Sequence, residues 1–168
     1  MSCAKPTPSK DRLRHLFDYR DGKLFWKVGG AGRVIGSEAG MTTEKGYRRV
    51  RVDGNLHMAH RLVWAYHHDS VPQWLDHIDE DKLNNRLENL REATKEQNGY
   101  NISRRKNNRS GVKGVYWATR EKRWVAELSV NKRVKRLGSF DDLELAELVV
   151  CEARRLYHGA YASRSLVA

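Results

Sequence analysis

Residues 76–98 read DHIDEDKLNNRLENLREATKEQN, and their types and spacing suit the hydrolysis of a phosphate ester. Asp76 and His77 are adjacent, so on the short extended segment WLDHID their side chains leave on opposite or skewed sides. LENLREA (87–93) reads as a second strand, joined to the first by the polar loop EDKLNNR. Thr94 and Gln97 spell T-x-x-Q, a capping box that starts a helix at Lys95 and carries Asn98 within its first turn or so. Strand, loop, strand and helix would bring Asp76 and Asn98 to one side, with His77 held nearby. A hard divalent cation such as Mg²⁺ takes oxygen ligands and keeps several waters, so one carboxylate and one amide carbonyl are a sufficient protein share. A neutral imidazole accepts a proton from an attacking water, while the ion offsets charge on the phosphate and the leaving oxygen. The competing reading is a polar loop with one structural histidine.

The neighbours have plainer expectations. Asn84 and Asn85 read as turn formers, and Asp79, Glu80 and Asp81 as a solvated loop face. His60 reads as a packed or capping histidine, and His67 and His68 as an exposed helix end favoured by the dipole. His15, His57 and His158 belong to no constellation.

Several elements must position that stretch. The chain through Pro8 reads as a disordered tail. Ser9 caps a short helix, SKDRLRHLFDYR, with Leu13, Leu16 and Phe17 on one side. KLFWKV (23–28) reads as a strand. GGAGRVIGSEAG reads as a turn-rich loop with a short strand, since neither a P-loop nor GxGxxG spacing is present. GYRRVRV, the Asp53-Gly54 turn and NLHMAH make a hairpin, and HRLVWAYHH (60–68) a helix closed by Pro72. After Asn98, GYNISRRKNNRSG reads as an exposed basic linker. Three strands follow, VKGVYWA (112–118), RWVAELSV (123–130) and VKRLGSF (134–140). DDLE from Asp141 opens a helix to about His158, with Gly159 as its stop. Leu145, Leu148, Val149, Glu152, Leu156 and Tyr157 form the stripe expected to pack on the sheet.

At 168 residues and 39% apolar, the chain can hold one ordinary domain or two small ones with a modest core. Its formal net charge of +11 points to nucleic acid as a partner. No stretch approaches the roughly 18 apolar residues of a spanning helix, and the N-terminus lacks an apolar signal core, so no membrane partner is expected. Two cysteines, Cys3 and Cys151, give neither a disulfide framework nor a zinc knuckle, which suits a reducing cytosol.

DHID…NNRLENLREATKEQN, preceded by HRLVWAYHH, resembles the HNH endonucleases, in the branch that ends its motif on Asn and is carried by phage and intron-encoded homing enzymes. The resemblance covers about residues 40–100. It implies the ββα-metal (His-Me finger) fold, with His77 as general base and Asp76 and Asn98 as ligands of one divalent ion. Mg²⁺ is the first choice and Mn²⁺ the alternative. It makes Asn89 the middle asparagine, which holds the loop between the strands and orients the histidine. It also implies 3′-hydroxyl and 5′-phosphate products.

From Asn101 to Phe140, twelve Lys and Arg stand against Glu121 and Glu127. Such a concentration on one small sheet favours DNA binding over a merely solvated face. By alternation Trp124, Ala126, Leu128 and Val130 face the helix, while Arg123, Val125, Glu127 and Ser129 face outward. SGVKGVYW…RWVAEL…RLGSFDDLELAELVV resembles the AP2/ERF-type DNA-binding domain, three antiparallel strands and a packed helix whose sheet enters the major groove. Lys113, Tyr116, Glu127 and Arg136 match its strand positions; Tyr116, Ser129 and Val134 stand where arginines are usual, so base preference does not transfer. The expected DNA-contacting set is Arg104, Arg105, Lys106, Arg109, Lys113, Tyr116, Trp117, Arg120, Arg123, Lys132, Arg133 and Arg136.

The expected whole is an α+β protein: a nuclease module with its sheet and helix platform (1–98), a basic linker (99–110), an AP2-like module with a small three-stranded antiparallel sheet and one packed helix (111–163), and a tail (164–168). The expected activity is metal-dependent cleavage of double-stranded DNA, homing-type, in the host cytoplasm; one active site per chain favours a nick unless the protein dimerises or acts twice. Monomer and dimer are both left open. A regulator with a vestigial nuclease motif and an RNA-binding protein are the competing readings.

Overall fold

The structure is a computed structural model, and it describes residues 6–30, 32–100 and 108–162. It is a mixed α and β protein built from small antiparallel sheets, and the chain divides into two compact units, Met1–Glu92 and Ala93–Ala168. The N-terminal tail before Pro6, the linker residues 101–107 and the tail from 163 lie outside the described residues.

The first unit runs α1 (Lys10–Leu16), β1 (Phe17–Arg20), β2 (Lys23–Trp26), β3 (Met41–Thr42), β4 (Arg48–Val52), β5 (Asn55–Met58), α2 (Ala59–His67), β6 (Leu75–His77) and β7 (Leu90–Glu92). Ser9 accepts a hydrogen bond from Arg12 N as N-cap, but α1 stops at Leu16, four residues short of the expected Arg20. Phe17 turns extended (φ −131°) because it pairs with Trp26 across an Asp21-Gly22 hairpin, their rings 4.5 Å apart. Asp21 and Gly22 both take positive φ (47° and 81°), the backbone of a tight two-residue turn. Asp53-Gly54 repeats the device between β4 and β5 (46° and 78°). Leu13, Leu16, Phe17, Val50, Val52, Leu62 and Val63 close the core of this unit.

One contact carries this scaffold to the β6–β7 loop. A Cβ on Gly22 would sit 2.5 Å from Arg86 N, so only glycine lets the β1–β2 turn lie against residues 85–86. Tyr19 OH accepts from Leu87 N at 3.2 Å beside it. The expected strand over 87–93 is shorter than the sequence suggested: Leu87–Asn89 form a 3₁₀ turn and only Leu90–Glu92 pair with β6.

The second unit runs α3 (Lys95–Tyr100), β8 (Val115–Ala118), β9 (Arg123–Val130), β10 (Arg133–Phe140) and α4 (Leu143–His158). Thr94 and Gln97 exchange the two bonds of the capping box at 2.7 and 3.1 Å. The sheet order is β10-β9-β8, antiparallel, with a bulge between Arg136 and Gly138. β8 begins three residues later than expected because Gly114 (φ 80°) turns there against Glu127 O. The cap of α4 is Asp142, accepting from Glu144 N at 2.9 Å, while Asp141 pairs with Arg123. Gly159 ends it with φ 54°.

Two packing expectations fail in this unit. The buried face of α4 is Ala146, Val150, Ala153, Arg154 and His158; Leu145, Leu148, Leu156 and Tyr157 are exposed. Small residues let α4 lie close to the sheet, so the large leucines are rotated away from it. Val125 was expected on the open face, yet it is buried between its cross-strand neighbours Tyr116 and Ser139.

Candidate active site

The β6–β7 ribbon and its connecting loop hold four polar residues out of water: Asp76, His77, Asn85 and Asn89 are all buried. Burying such groups demands partners, and each has one. Asp76 and Arg91 are directly opposed in the register, so they share a face. Arg91 donates Nε and an Nη2 to the same Asp76 oxygen, at 2.9 and 2.6 Å. His77 is opposed by Leu90 and its side chain leaves on the other face, as strand alternation requires.

The loop turns back to meet it. His77 Nε2 lies 3.0 Å from Asn85 Oδ1. Asn85 Nδ2 donates to Leu83 O at 3.3 Å, which sets the amide so that its oxygen faces the ring. With the amide in that orientation, the contact takes the Nε2–H tautomer. Asn85 holds the turn as expected, through its bonds to Leu83 O, and it is also 3% exposed with its Oδ1 set against the histidine ring.

Asn89 ties the loop to the strands. Its Nδ2 donates to Asp79 Oδ1 (2.8 Å) and Asn84 O (2.7 Å), and its Oδ1 accepts from Asp79 N (3.1 Å). Asp79 and Asp81 are exposed, as expected of a solvated loop face, and their carboxylates also organise the turn. Asp79 accepts from Asp81 N (2.9 Å) and Asn84 Nδ2 (2.6 Å), and Asp81 from Leu83 N (2.9 Å). Burial works against an ionised Asp79, but the donors Asn84, Asn89 and the Asp81 amide outweigh it and hold its carboxyl below the usual range.

His60 was expected to be packed or capping. It caps nothing, since α2 has Met58 as N-cap without a side-chain bond. Its ring stands edge-on to His77, centroids 5.1 Å apart, with Tyr47 5.8 Å away. Burial first, then the positive charges of His77 and Arg61, push His60 down to about 3, so it is a neutral wall beside His77 at neutral pH. Its spacing from His77 offered no local signal; only the fold brings them together. His68 is exposed, as expected, and stacks on Trp64 at 4.2 Å, whereas His67 is half-buried and meets Tyr19 edge-on at 4.6 Å.

Asn98 lies on α3, in the second unit. Among the described residues no group of three His, Cys, Asp or Glu side chains comes together. Asp76 on β6 offers carboxylate oxygens, the hard donors that a divalent cation takes.

The basic sheet is more internally paired than its charge suggested. Arg136 bonds Glu121 (2.6 Å), Arg123 bonds Asp141 (2.9 Å) and Lys132 bonds Glu96 (3.1 Å). Lys113 is half-buried and donates to Tyr100 O at 2.9 Å. Tyr116 OH donates to Glu127 at 2.9 Å, and Trp117 stands edge-on to Trp124 on the helix side. Arg109, Arg120 and Arg133 are exposed, whereas Arg104, Arg105 and Lys106 lie outside the described residues.

Residues 57–100 match a family model described as HNH endonuclease. The chain is 32% identical to Protein 3.8 of Escherichia phage T7 over 105 residues, which cover 61% of this chain and 86% of that protein. No solved structure matches it. Among the described residues no helix is long and apolar enough to cross a membrane.

Proposed function

We infer the function from the premise that this chain belongs to the family of Protein 3.8 of Escherichia phage T7 and carries an HNH endonuclease domain over residues 57–100: it is a DNA endonuclease that hydrolyses phosphodiester bonds. The observation that carries this reading is the buried His77–Asn85 contact, which gives the histidine a defined tautomer inside the HNH segment. His77 Nδ1 takes a proton from water; the oxygen attacks phosphorus, the bond to the 3′ oxygen breaks, and that oxygen leaves protonated by solvent. The products are a 3′-hydroxyl and a 5′-phosphate. Asn89 keeps the loop, and with it Asn85, in place.

Asp76 is the carboxylate proposed to hold a divalent ion, Mg²⁺ first, with Asn98 as second ligand on the strength of the motif's order along the chain. Such an ion supplies positive charge against the phosphate and the leaving oxygen. The ββα-metal fold is the architecture proposed for residues 57–100. An AP2-like reading of β8–β10 with α4 supports double-stranded DNA as the substrate and site selection by the sheet. Arg109, Arg120 and Arg133 supply phosphate contacts, and Arg123, Arg136 and Lys132 join them by exchanging their acidic partners. A homing-type nick in the cytoplasm of a phage host is the setting proposed.

The Arg91 grip on Asp76 favours a second reading, a DNA-binding protein whose motif no longer cleaves. Plasmid DNA with Mg²⁺ or Mn²⁺, with and without chelator, separates the two. Metal-dependent nicking lost in His77→Ala supports the nuclease; binding without cleavage supports the regulator.

A further inference from the structure

α4 carries two apolar strips, and the sheet uses one of them. Ala146, Val150 and Ala153 are buried toward the strands. At 100° per residue, Leu145, Leu148, Val149, Glu152 and Leu156 form a second strip well over a right angle around the axis. Leu145 is 49% exposed, and Leu148 and Leu156 are each 67% exposed. Single exposed apolar side chains are ordinary on a soluble protein, but three leucines aligned along one helix form a contiguous patch of the kind that marks an interface.

Charge along the same helix says what fits there. Its first half carries Asp142, Glu144 and Glu147, and its second half Arg154, Arg155 and His158. Glu144 and Arg155 lie on the same flank of the leucine strip, three turns apart. Two antiparallel copies related by a two-fold axis set like flanks side by side in opposite directions. Leu145 of one copy then meets Leu156 of the second, and Leu148 and Val149 flank Glu152 of the second copy near the axis. Glu144 faces Arg155 of the second copy, twice. A parallel alignment would set acid against acid. Glu152 falls within the strip, but Arg155 already holds both its oxygens at 2.9 and 2.6 Å, which lowers the cost of covering it.

We propose that this strip docks a second copy of the chain, through an antiparallel α4–α4 pair. A helix of 16 residues is about 24 Å long. One such seam is a small interface, so a dissociation constant on the order of 10 µM is expected. In such a pair the helices lie between the two sheets, whose open faces point outward. If the sheet binds DNA as proposed above, the dimer holds two separate duplex segments; the pairing itself does not depend on that reading.

Sedimentation equilibrium of the full chain without DNA, from about 1 to 100 µM, tests this across the expected dissociation constant. The weight-average mass should climb from one chain toward two. Leu148→Glu should weaken association by roughly tenfold or more while leaving the circular dichroism spectrum unchanged, because it places a charge in the seam. Glu144→Lys should weaken it several-fold. Val34→Glu, at an exposed apolar position of the other unit, should leave it unchanged. A wild-type mass of one chain throughout overturns the proposal, as does a Leu148→Glu variant that dimerises like wild type. A chain that dimerises this way yet cleaves no DNA upholds the pairing and removes the nuclease reading alone.

Discussion

His77 Nε2 lies 3.0 Å from Asn85 Oδ1, inside a loop whose backbone is pinned by Gly22 on one side and Asn89 on the other. With His77 as the proposed base, that contact makes the loop the element that orients the ring. Asn85→Ala should cut cleavage by roughly 10- to 100-fold, as loss of an orienting partner does. The loss should fall on kcat more than KM. An unaltered rate would mean that the ring is held by other means.

Removing Asn89 should act on stability as well as rate. Asn89→Ala deletes three hydrogen bonds within the loop and leaves Asp79 N and Asn84 O without that partner. A destabilisation of about 1–3 kcal/mol is expected for the first unit, read from urea unfolding. A change confined to the second unit's transition would contradict it.

The His60 shift predicts a pH dependence with a definite sign. Its folded value, about 3, lies below the ordinary value near 6.5, so the unfolded chain binds the extra proton between those limits. Stability of the first unit is therefore full above about pH 6.5 and falls as pH drops toward 3, with a limiting slope of about 1.4 kcal/mol per pH unit. Thermal melts from pH 4 to 8 should show this fall, and His60→Gln should flatten it.

The ion pairs on the sheet make a prediction about DNA affinity. Arg136 is held by Glu121 and Ser139. Glu121→Gln removes a negative charge and releases the guanidinium, so DNA affinity should rise and its salt dependence steepen. Arg133→Ala should instead flatten the log–log salt slope by about 0.9. Fluorescence anisotropy across a salt series reads both changes.

Much of this architecture was legible in the sequence, and the misses have physical causes. The β4–β5 hairpin, the Thr94–Gln97 box and β9 are local signals, and the structure has them where the residues put them. Asp21-Gly22 is the same kind of turn pair, yet the helical spacing of Leu13, Leu16 and Phe17 ran the expected α1 on to Arg20, over the residues that form β1. On α4, counting large residues chose the wrong face, because close packing on the sheet selected Ala146, Val150 and Ala153. At the candidate site, Asp76, His77 and Asn89 are singled out by their motif, and the structure buries all three. His60 and Asn85 are not singled out by it, since their roles come from tertiary approach: Asn85 looked like any turn asparagine until the loop folded back on the ring.

The central claim is that His77 is the base of a metal-dependent DNA nuclease, and supercoiled plasmid measures it most directly. With Mg²⁺ or Mn²⁺ the wild-type chain should convert it to open circles, chelator should stop this, and His77→Ala should lower the rate by about 10²- to 10⁴-fold while DNA binding persists. Wild-type protein that binds the plasmid and leaves it intact with either metal, or a His77→Ala variant that nicks at the wild-type rate, would contradict the account.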